Sequence, residues 1–118
     1  MLIRVDAGSA EPIFEQIAAS VRGQIAAGAV ARGDRLPPAR EVAQALDVNV
    51  HTVLHAYQTL RDEGVIEMRP GRGARVAVDA PTATVQELAR DYVARARAAG
   101  LADAAALALV RRAQEARP

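Results

Sequence analysis

Residues 36–78 constrain the fold more than any other part of the chain, because their apolar pattern changes from helical to strand-like within one short stretch. Residues 40–46 predict a short helix, and Asp47-Val48 predicts a tight corner after it. A second predicted helix ends at Gly64, and two short strands follow it, VIEM and ARVAV, joined by the turn RPGRG. The apolar positions of the second helix share one face: Val53, Ala56, Tyr57 and Leu60. This order is typical of a helix-turn-helix followed by a β-hairpin wing.

The length and composition of the chain limit its architecture and exclude several kinds of site. A chain of 118 residues forms one domain, or a small domain with an appendage. It has no cysteine, which excludes a disulfide framework, a thiolate nucleophile and a Cys-based zinc site. We find neither a signal-peptide pattern nor an apolar stretch of about 18 residues, so we expect a cytoplasmic protein with no membrane partner.

The charge of the chain does not by itself indicate a nucleic-acid-binding protein, because the formal net charge is only +1. Residues 1–80 contain nine arginines and ten acidic residues, a net charge of −1. A surface that binds DNA must therefore be a local patch, and Arg69, Arg72 and Arg75 around the hairpin turn form the clearest one. All fifteen Lys and Arg positions are arginine. Arginine suits contacts to phosphate and guanine, and the alternative explanation is a genome-wide codon bias.

The segments before the predicted corner supply the rest of the first domain. Residues 2–5 alternate like a short strand, and residues 32–38 predict a turn-rich connection. Between them an amphipathic helix begins at Pro12 and ends near Gly28. Its apolar stripe consists of Ile13, Ile17, Val21 and Ile25, with Phe14 and Ala18 beside it. Asp47 holds the corner position that often requires glycine, and Asp tolerates a positive φ better than most residues.

The C-terminal part of the chain predicts two further helices after a boundary at Ala80-Pro81. The capping-box pattern at 84–87 opens the first of them, which ends at Gly100, and the last helix covers about 102–116. Two helices of about 15 residues do not form a core alone, so they dock on the first domain or pair with a second copy, and we favour pairing. We therefore predict an α+β fold: a winged helix-turn-helix domain of three helices and a two-stranded β-wing over residues 1–79, and a two-helix dimerisation tail over residues 80–118.

The candidate DNA-binding residues lie on the second motif helix, at the start of the first one, and in the hairpin. Helical spacing directs His51, Thr52 and His55 away from the apolar face, where they can reach base edges or phosphates. Asn49 is either a helix cap alone or a cap that also contacts phosphate. Arg40 can reach a phosphate or remain a solvated surface residue. The candidates in the hairpin are Arg69, Gly71, Arg72, Gly73 and Arg75, whose glycines let backbone N–H groups approach a phosphate.

The chain lacks the residues that an enzyme or a metal site of a known type would need. The chain has no Lys or Cys, and no Ser/His/Asp arrangement suggests itself. The Gly71–Gly73 turn lacks the further glycines of a nucleotide-binding loop. His51 and His55 have no third ligand close in sequence, so we expect no metal, no cofactor and no catalytic residue.

Several motifs occur in a fixed order along residues 12–78. They are PIFEQI at 12–17, GDRLP at 33–37, REVA at 40–43, NxxTV at 49–53, AY at 56–57, EGVI at 63–66 and GRG at 71–73. Together they resemble the GntR family of bacterial transcription regulators, and the short two-helix tail resembles the YtrA-type subfamily. The resemblance implies a homodimeric repressor with the tail as its dimerisation element. It also implies DNA contacts at Arg40, Asn49, Thr52 and the Gly71–Gly73 wing.

The chain departs from the family pattern at several positions of the second motif helix. Val50 and Leu54 stand where many relatives carry Arg, so an operator sequence cannot be transferred to this chain. About 38 residues follow the wing, so we expect no large effector domain of the kind that longer relatives carry, and any small-molecule effector is unknown. Our hypothesis is a sequence-specific transcription regulator, a homodimeric repressor of an inverted-repeat operator in double-stranded DNA. The alternatives are a winged-helix protein-interaction module, which the net charge of −1 would suit, and a ligand- or metal-responsive sensor.

Overall fold

Three helices and a β-hairpin form the first of two units in the computed structural model, which describes residues 1–79 and 82–116. The helices of unit 1 (residues 1–83) are α1 (Ile13–Ala26), α2 (Ala39–Leu46) and α3 (Val50–Asp62), and its strands are β1 (Ile66–Arg69) and β2 (Gly73–Val76). Unit 2 (residues 84–118) is built from α4 (Thr82–Ala98), which begins two residues before the boundary, and α5 (Asp103–Glu115). The predicted α+β winged fold with two C-terminal helices is confirmed.

The core of unit 1 forms where α1 packs against α3. Ile17 and Val21 of α1 and Val53 and Leu60 of α3 are each fully buried. Burying a side chain of this size stabilises the fold by about 1.5–3 kcal/mol. The apolar stripes predicted for both helices are therefore confirmed, and the opposite face of α3 is left to solvent.

The hairpin carries a third extended segment that the sequence did not predict. β1 and β2 are antiparallel, with Ile66 opposite Val76 and Arg69 opposite Gly73. On the other side of β2, the Leu36 amide donates to the Ala74 carbonyl at 2.9 Å, and an isolated bridge joins Arg35 to Arg75. The connection over residues 32–38 is thus a turn that also covers the outer edge of β2.

The strand predicted over residues 2–5 is wrong, because these residues pair with no strand among those described. The segment instead makes hydrogen bonds to side chains of α1, and Ile3 enters the core. The Gln24 side chain donates to the Leu2 carbonyl at 2.7 Å. The buried Gln16 amide exchanges hydrogen bonds with the backbone of Asp6, accepting at 2.6 Å and donating at 3.0 Å. Side chains of α1 therefore satisfy backbone groups that a sheet would otherwise satisfy.

Two helices joined by a tight turn make up unit 2. The Tyr92 hydroxyl donates to the Ala106 carbonyl at 2.6 Å, and Ala96 is buried. The Arg97 guanidinium donates to both carboxylate oxygens of Asp103 at 3.1 Å, which lowers the pKa of Asp103. The predicted boundary at Ala80-Pro81 lies outside the described residues. The prediction that the capping-box pattern at 84–87 opens the helix is wrong, because α4 already begins at Thr82. No helix in the described ranges is long and apolar enough to cross a membrane.

The corner between α2 and α3 depends on a residue with a left-handed backbone. Asp47 has φ 54° and ψ 51°, as predicted, and is the one residue other than glycine with a positive φ among those described. The Val48 amide donates to the Ala43 carbonyl at 3.0 Å, which closes the end of α2. The entry of the chain into α3 therefore follows from this conformation.

We expect Asp47→Val to lower the free energy of unfolding by about 1–2 kcal/mol, because a β-branched residue is strained in the left-handed region. Asp47→Gly removes the same side chain without that strain, so it should lose no stability. Urea unfolding of both variants measures the difference. Equal losses in the two variants would show that the carboxylate, and not the backbone conformation, stabilises the corner.

Candidate nucleic-acid interface

The N-terminus of α3 is capped by the residue that the sequence predicted for this role. The Asn49 side-chain oxygen accepts from the His51 backbone N–H at 2.8 Å, and Asn49 itself is extended, with φ −66° and ψ 137°. The cap satisfies one of the free N–H groups of the first turn. Asn49 is exposed, and its side-chain NH2 has no hydrogen-bond partner within the described part of the chain. The side-chain NH2 of Asn49 can therefore donate to a ligand.

The outward face of α3 carries the hydrogen-bonding side chains expected there. His51 and His55 are exposed and Thr52 is half-buried. The four apolar positions predicted for the opposite face are all buried: Val53, Ala56, Tyr57 and Leu60. α3 therefore presents a short polar ridge supported by a fully packed inner face, a combination that suits contacts to base edges.

One of these histidines makes a contact that the sequence did not predict. The His55 imidazole stacks on the ring of Phe14 in α1, with ring centroids 4.0 Å apart and planes 20° from parallel. Phe14 is half-buried and also packs against the core. The stack fixes the direction of the imidazole along the α1 side of α3, while the residue stays accessible to solvent. No group of three or more residues suited to hold a metal ion occurs in the described ranges.

The hairpin turn is narrow and its tip is basic. The Arg72 amide donates to the Arg69 carbonyl at 3.0 Å, and Gly71 and Gly73 have φ values of 75° and 72°. Glycine adopts such values without strain, so the turn depends on these two residues. The Arg72 guanidinium has no ion-pair or hydrogen-bond partner among the residues that the structure describes. Arg69 lies 3.8 Å from Glu67, an exposed and weak ion pair.

Arg75 does not join the other two arginines at the tip of the hairpin. It lies within β2, opposite Glu67, and is half-buried. Its guanidinium donates to the Gly33 carbonyl at 3.1 Å. Arg75 therefore ties the connection before α2 to the sheet. Of the three arginines predicted to form a basic patch, only Arg69 and Arg72 therefore lie at the tip of the hairpin.

Arg40 lies in the first turn of α2, exposed and with no ionic partner in the described residues. Two further exposed arginines, Arg35 and Arg61, were not among the predicted site residues. Together with Arg69 and Arg72 they line a groove between α3 and the hairpin, which we call the wing groove. Arg61 follows Leu54 by two helical turns, and this periodicity indicates that both lie on the same side of α3.

The wing groove has a volume of about 890 Å³ and an apolar floor. The main floor residues are Leu36, Leu54, Tyr57 and Met68. The Tyr57 hydroxyl donates to the Pro37 carbonyl at 2.6 Å, and burial raises the pKa of Tyr57, so the phenol stays protonated. This hydrogen bond holds the segment before α2 against α3, and that segment forms one side of the groove.

Comparison with known proteins identifies the family. The sequence pattern of the family described as bacterial regulatory proteins, gntR family, matches residues 13–76. The chain is 37% identical over 100 residues to the HTH-type transcriptional regulator Rv1152 of Mycobacterium tuberculosis, covering 84% of this chain and 83% of that protein. It is 38% identical to the HTH-type transcriptional repressor YtrA of Bacillus subtilis, covering 72% of this chain and 65% of YtrA.

Solved structures agree with this assignment. YtrA from Sulfolobus acidocaldarius, a GntR-family transcription factor, superposes with a TM-score of 0.61 at 35% identity, over 80% of this chain and 99% of that one. The DNA-binding domain of AraR, solved in complex with operator ORX1, shares the fold, with a TM-score of 0.57 at 21% identity over 65% of this chain and 96% of its own. The chain therefore belongs to the GntR family of bacterial regulatory proteins, and it is a DNA-binding transcription regulator, not an enzyme.

Proposed function

We propose that this protein is a cytoplasmic homodimeric repressor that binds an inverted-repeat operator. The observation that carries the proposal is the polar ridge of α3 together with a basic hairpin tip, in which Arg72 has no side-chain partner among the described residues and Arg69 has only the weak pair with Glu67. α3 enters the major groove through its first turns, and the tip reaches the neighbouring backbone or minor groove. The similarity to YtrA of Bacillus subtilis, a repressor by name, supports the sign of regulation.

The proposed contacts divide into base-reading and phosphate-binding residues. His51, Thr52 and His55 face the base edges. Arg40 and the Asn49 amide bind phosphate next to the N-terminus of α3, where unpaired backbone N–H groups also favour an anion. In the hairpin, Arg69, Arg72 and the backbone of Gly71 and Gly73 contact the DNA backbone. Arg75 supports this surface indirectly, because its guanidinium already binds the Gly33 carbonyl.

Dimerisation through unit 2 is supported by its exposed apolar side chains. Seven of the nine large apolar side chains that are exposed in the described residues belong to this unit: Val85, Leu88, Val93, Leu101, Leu107, Leu109 and Val110. A two-helix unit with so few buried residues gains little stability alone. A second copy would bury both faces about a two-fold axis, which matches two operator half-sites about one helical turn apart.

Selection of bound duplexes from a random DNA pool tests operator recognition. We expect an inverted repeat whose affinity falls steeply with salt, because Arg40 and the hairpin arginines displace counterions from phosphate. The quadruple variant Arg40→Ala, Thr52→Ala, His55→Ala and Arg72→Ala should lose specific binding. Arg32→Ala is the matched control, because it removes an exposed arginine that lies 3.6 Å from Asp79 and outside the proposed DNA surface. Specific binding that survives in the quadruple variant, or a salt-insensitive protein partner in place of DNA, would overturn the proposal.

Substitution of Asn49 separates its capping role from its proposed contact with phosphate. Asn49→Ala should lower the free energy of unfolding by about 1 kcal/mol, because the cap is lost. Asn49→Asp keeps an oxygen that accepts from the His51 amide, so its stability should match wild type, whereas its negative charge should weaken operator binding. Urea unfolding and a mobility-shift assay measure the two effects. If Asn49→Asp binds the operator with wild-type affinity, Asn49 only caps α3 and does not contact phosphate.

Leu107→Asp should convert the dimer to a monomer and weaken operator binding, because it places a charge on the apolar face of α5. Ala108→Asp adds the same charge to the next residue, which helical spacing places about 160° around α5 from Val110, whereas Leu107 lies about 60° from it, so this control should leave the dimer intact. Sedimentation analysis over a range of protein concentrations measures both. If the two variants sediment alike, the dimer interface lies elsewhere or the wild type is a monomer.

A further inference from the structure

We infer that the wing groove binds a small organic acid, an apolar body bearing a carboxylate or a related anionic group, and that this ligand competes with operator DNA. The competition rests on the proposed function, whereas the binding site rests on the groove alone. The groove lies entirely within unit 1, between one side of α3 and the hairpin.

The size and floor of the groove fit a small molecule. Its volume of about 890 Å³ lies within the range of about 300–1,000 Å³ that is usual for ligand pockets. Leu36 and Tyr57 of the floor are buried, and Leu54 and Met68 are half-buried. The Tyr57–Pro37 hydrogen bond and the pairing of Leu36 with Ala74 hold this floor in place. An apolar body placed here would bury side chains that solvent now reaches.

The charges around the groove select an anion. Arg35, Arg61, Arg69 and Arg72 line it, and Glu41 is the acidic residue among its lining. The ion pairs that Arg61 makes with Asp62 and Arg69 makes with Glu67 are long, at 3.4 and 3.8 Å, and exposed. Arg35 donates to a backbone carbonyl at 3.5 Å. Planar guanidinium groups that are not committed to strong partners bind carboxylates in bidentate geometry.

An organic acid fits these features better than the DNA backbone does. A phosphodiester backbone satisfies the arginines, but it brings no apolar group to cover Leu54 and Met68. A molecule with one anionic group and an aromatic or medium-chain body satisfies both the rim and the floor. Because Arg69 and Arg72 also belong to the proposed DNA surface, a bound acid would neutralise cations that the operator needs and add a negative charge beside α3.

The dye 8-anilinonaphthalene-1-sulfonate is a suitable probe, because it combines a fused aromatic body with one anionic group. N-phenyl-1-naphthylamine has the same rings without the sulfonate. We expect Arg61→Ala to weaken binding of the sulfonate about tenfold, as the loss of one charge-assisted contact implies, and to leave the neutral dye unchanged. Arg32→Ala removes an arginine outside the groove and should change neither. Fluorescence titration of the full chain measures all of these affinities.

The exposed apolar side chains of unit 2 offer the dye another place to bind, and Arg61→Ala distinguishes the two sites. Sulfonate binding that is equal in wild type and Arg61→Ala would place the dye outside the groove and overturn the inference. Equal affinities for the charged and neutral dyes would overturn the selection of an anion.

Competition is measured by mobility shift with the selected operator duplex at increasing concentrations of the sulfonate dye. We expect the apparent Kd for the operator to rise with dye in the wild type, and to rise about tenfold less steeply in Arg61→Ala. An unchanged operator Kd at saturating dye would overturn the competition. Groove binding without any selected operator would contradict the proposed function while confirming the ligand site. Operator binding without groove binding would overturn the ligand site and support the proposed function.

Discussion

The packing of α3 against α1 is the interaction on which the rest of unit 1 depends. Val53 and Leu60 of α3 bury completely against Ile17 and Val21 of α1, so rotation of α3 about its axis would expose apolar surface on one side and bury polar groups on the other. This fixed rotation directs His51 and Thr52 outward. It also places Leu54 and Arg61 toward the hairpin, where they line the wing groove. The proposed DNA-reading surface and the wing groove thus follow from one helix orientation.

Long-range polar contacts connect the other elements to this pair of helices. The Tyr57 hydroxyl holds the segment before α2, the Arg75 guanidinium ties the turn at Gly33 to β2, and Leu36 pairs with the outer edge of the same strand. The hairpin is therefore attached through its outer strand as well as through the chain that follows α3. Such attachment limits its freedom to swing, which makes the spacing between its basic tip and the α3 ridge a property of the folded unit.

The two units use their apolar residues in opposite ways. Unit 1 buries large side chains from every element and satisfies its buried polar groups, including Gln16, whose amide holds the Asp6 backbone. Among the described residues of unit 2, the buried ones are the small Ala96 and Ala106, Tyr92 is half-buried, and seven large apolar side chains are exposed. The first arrangement suits a self-sufficient domain, and the second suits a surface that a partner completes. Unit 1 is thus a packed scaffold, whereas unit 2 exposes the apolar surface that we propose as the dimer interface.

Local patterns predicted much of this structure. Helical spacing assigned the buried face of α3, Asn49 was recognisable as a cap, and the corner at Asp47 followed from a residue type that tolerates a positive φ. These features depend on groups within a few residues of one another, so the sequence by itself determined them. The pairing of Leu36 with β2, the turning of Arg75 toward Gly33 and the stacking of His55 on Phe14 join residues about 38 to 42 positions apart. Only the tertiary structure decided them, because such contacts depend on how packed elements meet, which no local periodicity encodes.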